Sequence, residues 1–226
     1  MLNLLIAESA LETIPQDIWH EKNIISSIKI RQKKPSEILL DRSLHHRAML
    51  NLEDAHKRGR PDLIHTTILA STSTPLYLQK KMQIYIHTYT SKVLKINLGV
   101  RPPKSYFRFQ GLIEQILGHI DRKQTLSPLI TVQQMEFSDL IEEINPDIII
   151  GFSRSGKSLP IKSWLDRCVN AINPVFIIGG FPKGCFSNAI IKNLDLLVSI
   201  HNLPLEAHVV TSRILYEYEK SVTVDL

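Results

Sequence analysis

Val175-Phe176-Ile177-Ile178-Gly179-Gly180 is a short apolar run that ends in two glycines. Two further runs resemble it, Asp147-Ile148-Ile149-Ile150 and the stretch from Leu194 to Ile200. Strands that read as near-continuous apolar runs are those buried on both faces of a parallel sheet. Each run is followed by a loop bearing glycine or proline. After the last loop a helix is expected from Pro204 to Tyr218, with Ala207, Val210, Ile214 and Tyr218 on one face. This alternation predicts an α/β fold with a parallel sheet flanked by helices. Ligands in such sheets bind at the carboxyl ends of the strands. Three loops, near 151–158, 179–186 and 200–206, are therefore the candidate small-molecule site.

The rest of the chain carries weaker signals. Asn3 to Ala7 reads as a buried strand, and Lys29 to Pro35 as a basic loop or strand end. Ile38-Leu39-Leu40 reads as a second short strand, followed by a helix from Leu44 to Leu52. A further helix is expected from Leu63 to Leu69, closed by Ser71-Thr72-Ser73-Thr74-Pro75. Gln83 to Thr88 and Lys92 to Asn97 predict two strands joined by a turn at Thr90-Ser91. Pro102-Pro103 begins the clearest helix. Its apolar residues Phe109, Leu112, Ile113, Ile116, Leu117 and Ile120 form a wide core-facing stripe.

Composition bounds the function without deciding it. The 226 residues are 43% hydrophobic and 22% charged, as in ordinary globular proteins, and can bury a sizeable core. A net charge of +5 permits a polyanionic partner. Cys168 and Cys185 form no CxxC and no zinc spacing, so reduced thiols and a cytoplasmic location are expected. Leu2 to Ala7 is too short for a signal peptide, and no stretch approaches the ~20 apolar residues of a membrane span. His45 and His46 are expected at the surface rather than on a metal, and Trp19 and Trp164 in the core or at its edge.

Three segments carry chemistry. In Gly59-Arg60-Pro61-Asp62, proline biases Arg60 toward an extended backbone and Asp62 falls at a helix start. A guanidinium held by that carboxylate suits a phosphate or a base edge. Arg101, Lys104 and Arg108 are spaced i, i+3, i+7, and a shared helix face is expected for the last two, with Tyr106 and Phe107 placed to stack on bases. Gly151-Phe152-Ser153-Arg154-Ser155-Gly156-Lys157-Ser158 matches the phosphate-loop pattern after a strand. Against a triphosphatase, too little chain follows Ser158, and neither later strand ends in the aspartate a magnesium site needs. Pro160 also interrupts the expected helix.

Several motifs occur in order: Leu11-Glu12-Thr13, Gly59-Arg60-Pro61-Asp62, Tyr85-Ile86-His87-Thr88, Arg101 to Leu112, Gly179 to Gly184, and Ser199 to Leu205. Together they resemble the ribosome-biogenesis family of pseudouridine methyltransferases, within the SPOUT class, over nearly the whole chain. The resemblance implies one domain over 1–226, with a C-terminal trefoil knot, acting as a homodimer. RNA-contact elements would lie within about 29–120 and the cofactor-binding knot region at about 147–226. It implies S-adenosylmethionine as donor and ring nitrogen 1 of a pseudouridine in a small-subunit ribosomal RNA hairpin as acceptor, with ribosomal assembly proteins as further partners. Family RNA-contact positions fall on Arg60, Arg101, Lys104 and Arg108, with lysine at 104 where arginine is expected. Cofactor positions fall on Ser153, Gly179, Gly184, Ile200, His201, Asn202, Leu203, Pro204 and Leu205.

Methyl transfer from a sulfonium requires alignment more than covalent help. Arg60 would stabilise charge on the carbonyls flanking the acceptor nitrogen. Asp62 would orient Arg60 or act as base, and a carboxylate beside arginine at a helix start favours orientation. Glycines 179, 180 and 184 would let backbone approach the adenosyl group, and Ile200, Leu203 and Leu205 either wall the adenine or pack in the core. Two further readings are a non-catalytic RNA-binding assembly factor and a related knotted transfer-RNA methyltransferase; the first would not need the cofactor loops intact.

Overall fold

A computed structural model describes residues 1–118 and 129–222. Its strands are β1 (Leu2–Ser9), β2 (Met82–Thr88), β3 (Lys92–Ile96), β4 (Ile130–Gln134), β5 (Ile148–Ser158), β6 (Pro174–Gly179) and β7 (Leu196–Ser199). They form one sheet in the order β4-β3-β2-β1-β6-β5-β7. β2, β1, β6, β5 and β7 run parallel, as the apolar runs predict. β3 and β4 add an antiparallel edge.

The helices are α1 (Lys22–Arg31), α2 (Arg42–His45), α3 (Pro61–Thr72), α4 (Pro75–Leu78), α5 (Tyr106–Gly118), α6 (Phe137–Ile144), α7 (Ile161–Val169), α8 (Asn188–Ile191) and α9 (Ala207–Ser221). Side chains alternate across a strand. Leu2, Leu4 and Ile6 of β1 therefore join Ile64, Phe109 and Ile214 in one core, while Leu5 and Ala7 join Phe137, Leu140 and Ile190 in a second core. A third cluster, including Ile14, Ile24, Ile38 and Met49, fills the segment between β1 and α3.

Several local expectations change. Residues 29–31 are the end of α1, and Ile38–Leu40 makes only an isolated bridge, Leu39 to Thr13, not a strand. The helix expected over Leu44–Leu52 is instead α2 followed by a 3₁₀ turn at Ala48–Asn51. His45 is fully buried there, not at the surface: Asp41 N–H donates to Nδ1 at 3.0 Å, and Nε2 lies 3.0 Å from Ser27 Oγ. α3 runs on to Thr72, and the Thr67, Ser71 and Thr72 hydroxyls are accommodated there by donating to carbonyls one turn back. α5 begins at Tyr106 rather than at the prolines, so Lys104 precedes the helix and shares no helical face with Arg108. Phe109, Ile113, Ile116 and Leu117 are buried as expected, and Ile120 lies outside the described residues. α9 starts at Ala207, three residues later than expected.

The largest difference lies at 151–158. That segment is strand, not loop. Its register on β7 slips between Phe152 and Lys157, which both pair with Val198. A side chain at Gly156 would sit 2.6 Å from the Val198 carbonyl carbon. Gly156 is thus explained by backbone contact with β7, and an extended chain offers no cradle of N–H groups to a phosphate.

Candidate functional site

A cavity of about 540 Å³ lies at the carboxyl ends of β5, β6 and β7. Phe152, Ser153 and Arg154 line it from β5, and Ile178 and Gly179 from β6. The loop after β6 adds Phe181, Pro182, Lys183, Gly184 and Phe186. The segment after β7 adds Ile200, His201, Leu203, Pro204 and Leu205, and α9 adds Ala207 and Val210. All three expected segments converge, the first as a bulged strand. Asn202 is exposed on the same turn and is not part of the lining. Sequence reasoning missed the aromatic walls Phe152, Phe181 and Phe186, which resemble ordinary core residues.

Backbone contacts fix this shape. A Cβ at Gly180 would lie 2.7 Å from Ser9 Cα, so the loop can press against the end of β1. Gly180 N–H donates to Ala7 O at 2.8 Å, and Ala10 N–H returns a bond to Gly180 O at 2.7 Å. Gly184 has φ +113°, which side-chain-bearing residues rarely adopt, and its missing Cβ would meet His56 and Lys57 at 3.2 Å. Both glycines are thus needed where the loop packs on the protein, and Gly184 also lines the cavity. After β7, Ser199 Oγ donates to His201 O at 2.9 Å and Leu203 N–H to His201 Nδ1 at 3.0 Å, which closes the 199–203 turn.

Arg60 stands close to that loop in the bonding network. Its N–H donates at 3.2 Å to Ala10 O, and Ala10 also holds Gly180. Its guanidinium donates twice to Asp62, Nε to Oδ1 and Nη2 to Oδ2, both at 2.8 Å. Asp62 is the second residue of α3, as predicted. Partial burial opposes its ionisation, but the Arg60 bonds and charge and the helix-start N–H groups hold its carboxyl below the usual range. Those Asp62 bonds raise Arg60 in turn, against partial burial, and the charges of Glu206 and Asp41 add to the effect. Glu206 directly follows the cavity-lining Leu205.

The basic segment is anchored from behind. His65 on α3 stacks on Phe109 with centroids 4.6 Å apart, and its Nε2 lies 2.8 Å from Pro103 O. Tyr106 donates to Asp41 Oδ2 at 2.9 Å. Burial and the Asp41 charge push this phenol well above its usual range. Tyr106 is thereby committed to Asp41. Arg101, Lys104 and Arg108 are exposed, and Phe107 is 81% exposed beside them.

Other cations of the expected RNA-contact region face inward. Arg31 and Lys33 both reach Glu114, at 2.6 and 2.8 Å. Arg58 forms a buried fork on Glu12, at 2.7 and 2.6 Å. Lys57 pairs with Glu8 at 2.8 Å and lies 4.7 Å from the centroid of Phe181, a cavity wall. Glu8 also accepts from Ser187 N–H at 3.0 Å. Among the described residues, no group of three His, Cys, Asp or Glu side chains is placed to hold a metal, and no helix is long and apolar enough to cross a membrane.

The fold and site define an α/β protein with a cofactor-sized cavity at its strand ends, beside a carboxylate-clamped arginine. The chain belongs to the EMG1/NEP1 methyltransferase family, whose profile matches residues 4–219. It is 37% identical over 215 residues to the ribosomal RNA small subunit methyltransferase Nep1 of Staphylothermus marinus, covering 95% of this chain and 93% of that one. It is also 37% identical to Nep1 of Saccharolobus solfataricus, covering 94% of each. The crystal structure of Archaeoglobus fulgidus Nep1 bound to S-adenosylhomocysteine matches the fold with a TM-score of 0.84 at 30% identity, covering 98% of each chain.

Proposed function

We propose that this protein methylates ring nitrogen 1 of a pseudouridine in small-subunit ribosomal RNA, with S-adenosylmethionine as donor. The observation that carries the reading is the hydrogen-bonded link from the cavity loop to Arg60, Gly180 O to Ala10 N–H and Ala10 O to Arg60 N–H. It ties a cofactor-sized cavity to a clamped cation. A cavity of about 540 Å³ lies within the ~300–1,000 Å³ range of small-molecule sites, and its aromatic and aliphatic walls suit an adenosyl group. The names of the relatives, which specify ribosomal RNA and an S-adenosylhomocysteine complex, support the same reading.

In this reading Ser153, Gly179, Gly184, Ile200, His201, Leu203, Pro204 and Leu205 hold the donor, with Asn202 at the rim. The bound donor supplies a methyl group already activated by its sulfonium. Arg60 draws off negative charge developing on the acceptor ring, and Asp62 orients Arg60 with both oxygens. Arg101, Lys104 and Arg108 track the RNA backbone. A point charge at Lys104 suits phosphate better than a base edge. The target base would leave its stack to reach the cavity. The reading includes a C-terminal trefoil knot within 147–226, a homodimer, a cytoplasmic location and contacts with ribosomal assembly proteins.

The test is methyl transfer from labelled S-adenosylmethionine to small-subunit ribosomal RNA transcribed with pseudouridine or with uridine. Label recovered as a nitrogen-1-methylated pseudouridine, only in the first transcript, is expected. Label on uridine, on ribose, or only on transfer RNA would overturn the reading.

A further inference from the structure

The acceptor nitrogen carries a proton that must leave, and the carboxylates around Arg60 are not equally free to take it. Three of them contribute to its electrostatic surroundings: Asp62, Glu206 and Asp41. Both oxygens of Asp62 accept from Arg60. Asp41 Oδ1 accepts from the N–H and hydroxyl of Ser43, and Oδ2 from Tyr106. Glu206 differs from both. Among the described residues its side chain has one charged neighbour within 4 Å, His208 Nδ1 at 3.9 Å from Oε2, beyond hydrogen-bond distance. Its side chain is 68% exposed.

Its position in the chain also matters. Glu206 is the N-cap residue of α9. Leu205 before it and Ala207 after it both line the cavity, as does Val210 one turn on. The cavity lining itself contains no carboxylate, its charged members being Arg154 and Lys183. Glu206 is thus an exposed carboxylate between two cavity-lining residues, without a hydrogen-bonded charged partner among the described residues.

We propose that Glu206 is the general base that takes the proton from the acceptor nitrogen. This rests on the methyltransferase reading above. The N–H bond breaks and its proton passes to a Glu206 oxygen. The electron pair left on nitrogen forms the bond to the methyl carbon. The carbon–sulfur bond breaks with its pair returning to sulfur, so the donor leaves neutral and the proton carries the positive charge on to water. His208, on α9, lies 3.9 Å from this carboxylate, and the charge of Arg60, from the segment before α3, acts on it from farther off. The division of labour is then Arg60 for the carbonyls, Asp62 for Arg60, and Glu206 for the proton.

The experiment compares single-turnover methylation of the pseudouridine transcript by wild type, Glu206→Ala and Glu206→Gln, with S-adenosylhomocysteine and RNA affinities measured in parallel. General-base removal is expected to slow transfer roughly a hundredfold or more. Both affinities should stay within about threefold of wild type, because the side chain is exposed and its contact with His208 is long. Added formate should restore part of the Glu206→Ala rate, and the Glu206→Gln rate should climb with hydroxide where wild type has levelled off. A variant rate within about threefold of wild type would overturn the role. So would a loss that formate leaves unchanged and that tracks weakened RNA binding, which would make Glu206 a support for Arg60. A wild-type protein that binds S-adenosylhomocysteine yet methylates no transcript would overturn the reading itself, and the role with it.

Discussion

The buried Arg58–Glu12 fork and the solvent-open Arg60–Asp62 fork use the same chemistry to opposite ends. Arg58 and Arg60 are two residues apart, and each grips a carboxylate through two N–H groups. The Arg58 and Glu12 side chains are 8% and 2% exposed, whereas Arg60 and Asp62 are 36% and 49% exposed. A fork sealed from water fastens segments of the fold, because neither charge tolerates losing its partner. A fork open to solvent stabilises little and leaves three of five donors for a ligand. The difference lies in what surrounds the pair rather than in the pair.

That contrast is broken most directly by Arg58→Ala. It would strand the Glu12 carboxylate in the core and cost about 3–5 kcal/mol, measured by urea unfolding. A loss below ~1 kcal/mol would mean that the Arg58–Glu12 fork fastens nothing. Gly184→Val should come next. It forces a β-branched residue into φ +113° against His56 and Lys57, and S-adenosylhomocysteine affinity should fall about tenfold to a hundredfold by calorimetry, a cost of ~1–3 kcal/mol.

Arg60→Ala should show the reverse pattern to Arg58→Ala. Stability should change by no more than ~1 kcal/mol, while RNA affinity and the methyl-transfer rate drop. An equal loss of stability in both variants would erase the distinction.

The smallest effect concerns pH. Burial, against the charge of nearby carboxylates, lowers the pKa of His45 and His87 below the ordinary 6.5. A depressed histidine contributes stability that is complete above pH 6.5 and is lost as pH falls from there through its folded value. The unfolding midpoint in urea should therefore decline from pH 7 to pH 5. His87→Leu should flatten part of that decline, since neither ring nitrogen of His87 has a hydrogen-bond partner to lose.

The central architecture was legible because periodicity encodes it. The apolar runs at 148–150 and 175–178 became β5 and β6, and the stripe from Phe109 to Leu117 became the buried face of α5. The Arg60–Asp62 clamp was legible because both partners and the intervening proline lie within three residues. What escaped depends on contacts distant in sequence. Nothing local marks Lys57 as the partner of Glu8, 49 residues away, or Arg31 as the partner of Glu114, 83 residues away. The motif at 151–158 misled for the same reason: its second glycine answers to the β7 backbone, which the local sequence does not contain. Glu206 went unnoticed because a carboxylate at a helix start usually needs no further explanation.

The most direct test titrates S-adenosylhomocysteine and ATP-magnesium separately into the purified protein by calorimetry. Saturable binding of S-adenosylhomocysteine, weakened by Gly184→Val and unchanged by Lys157→Ala, is the predicted result. Binding of ATP-magnesium alone, abolished by Lys157→Ala, would contradict the account and restore the phosphate loop that the β5 bulge argues against.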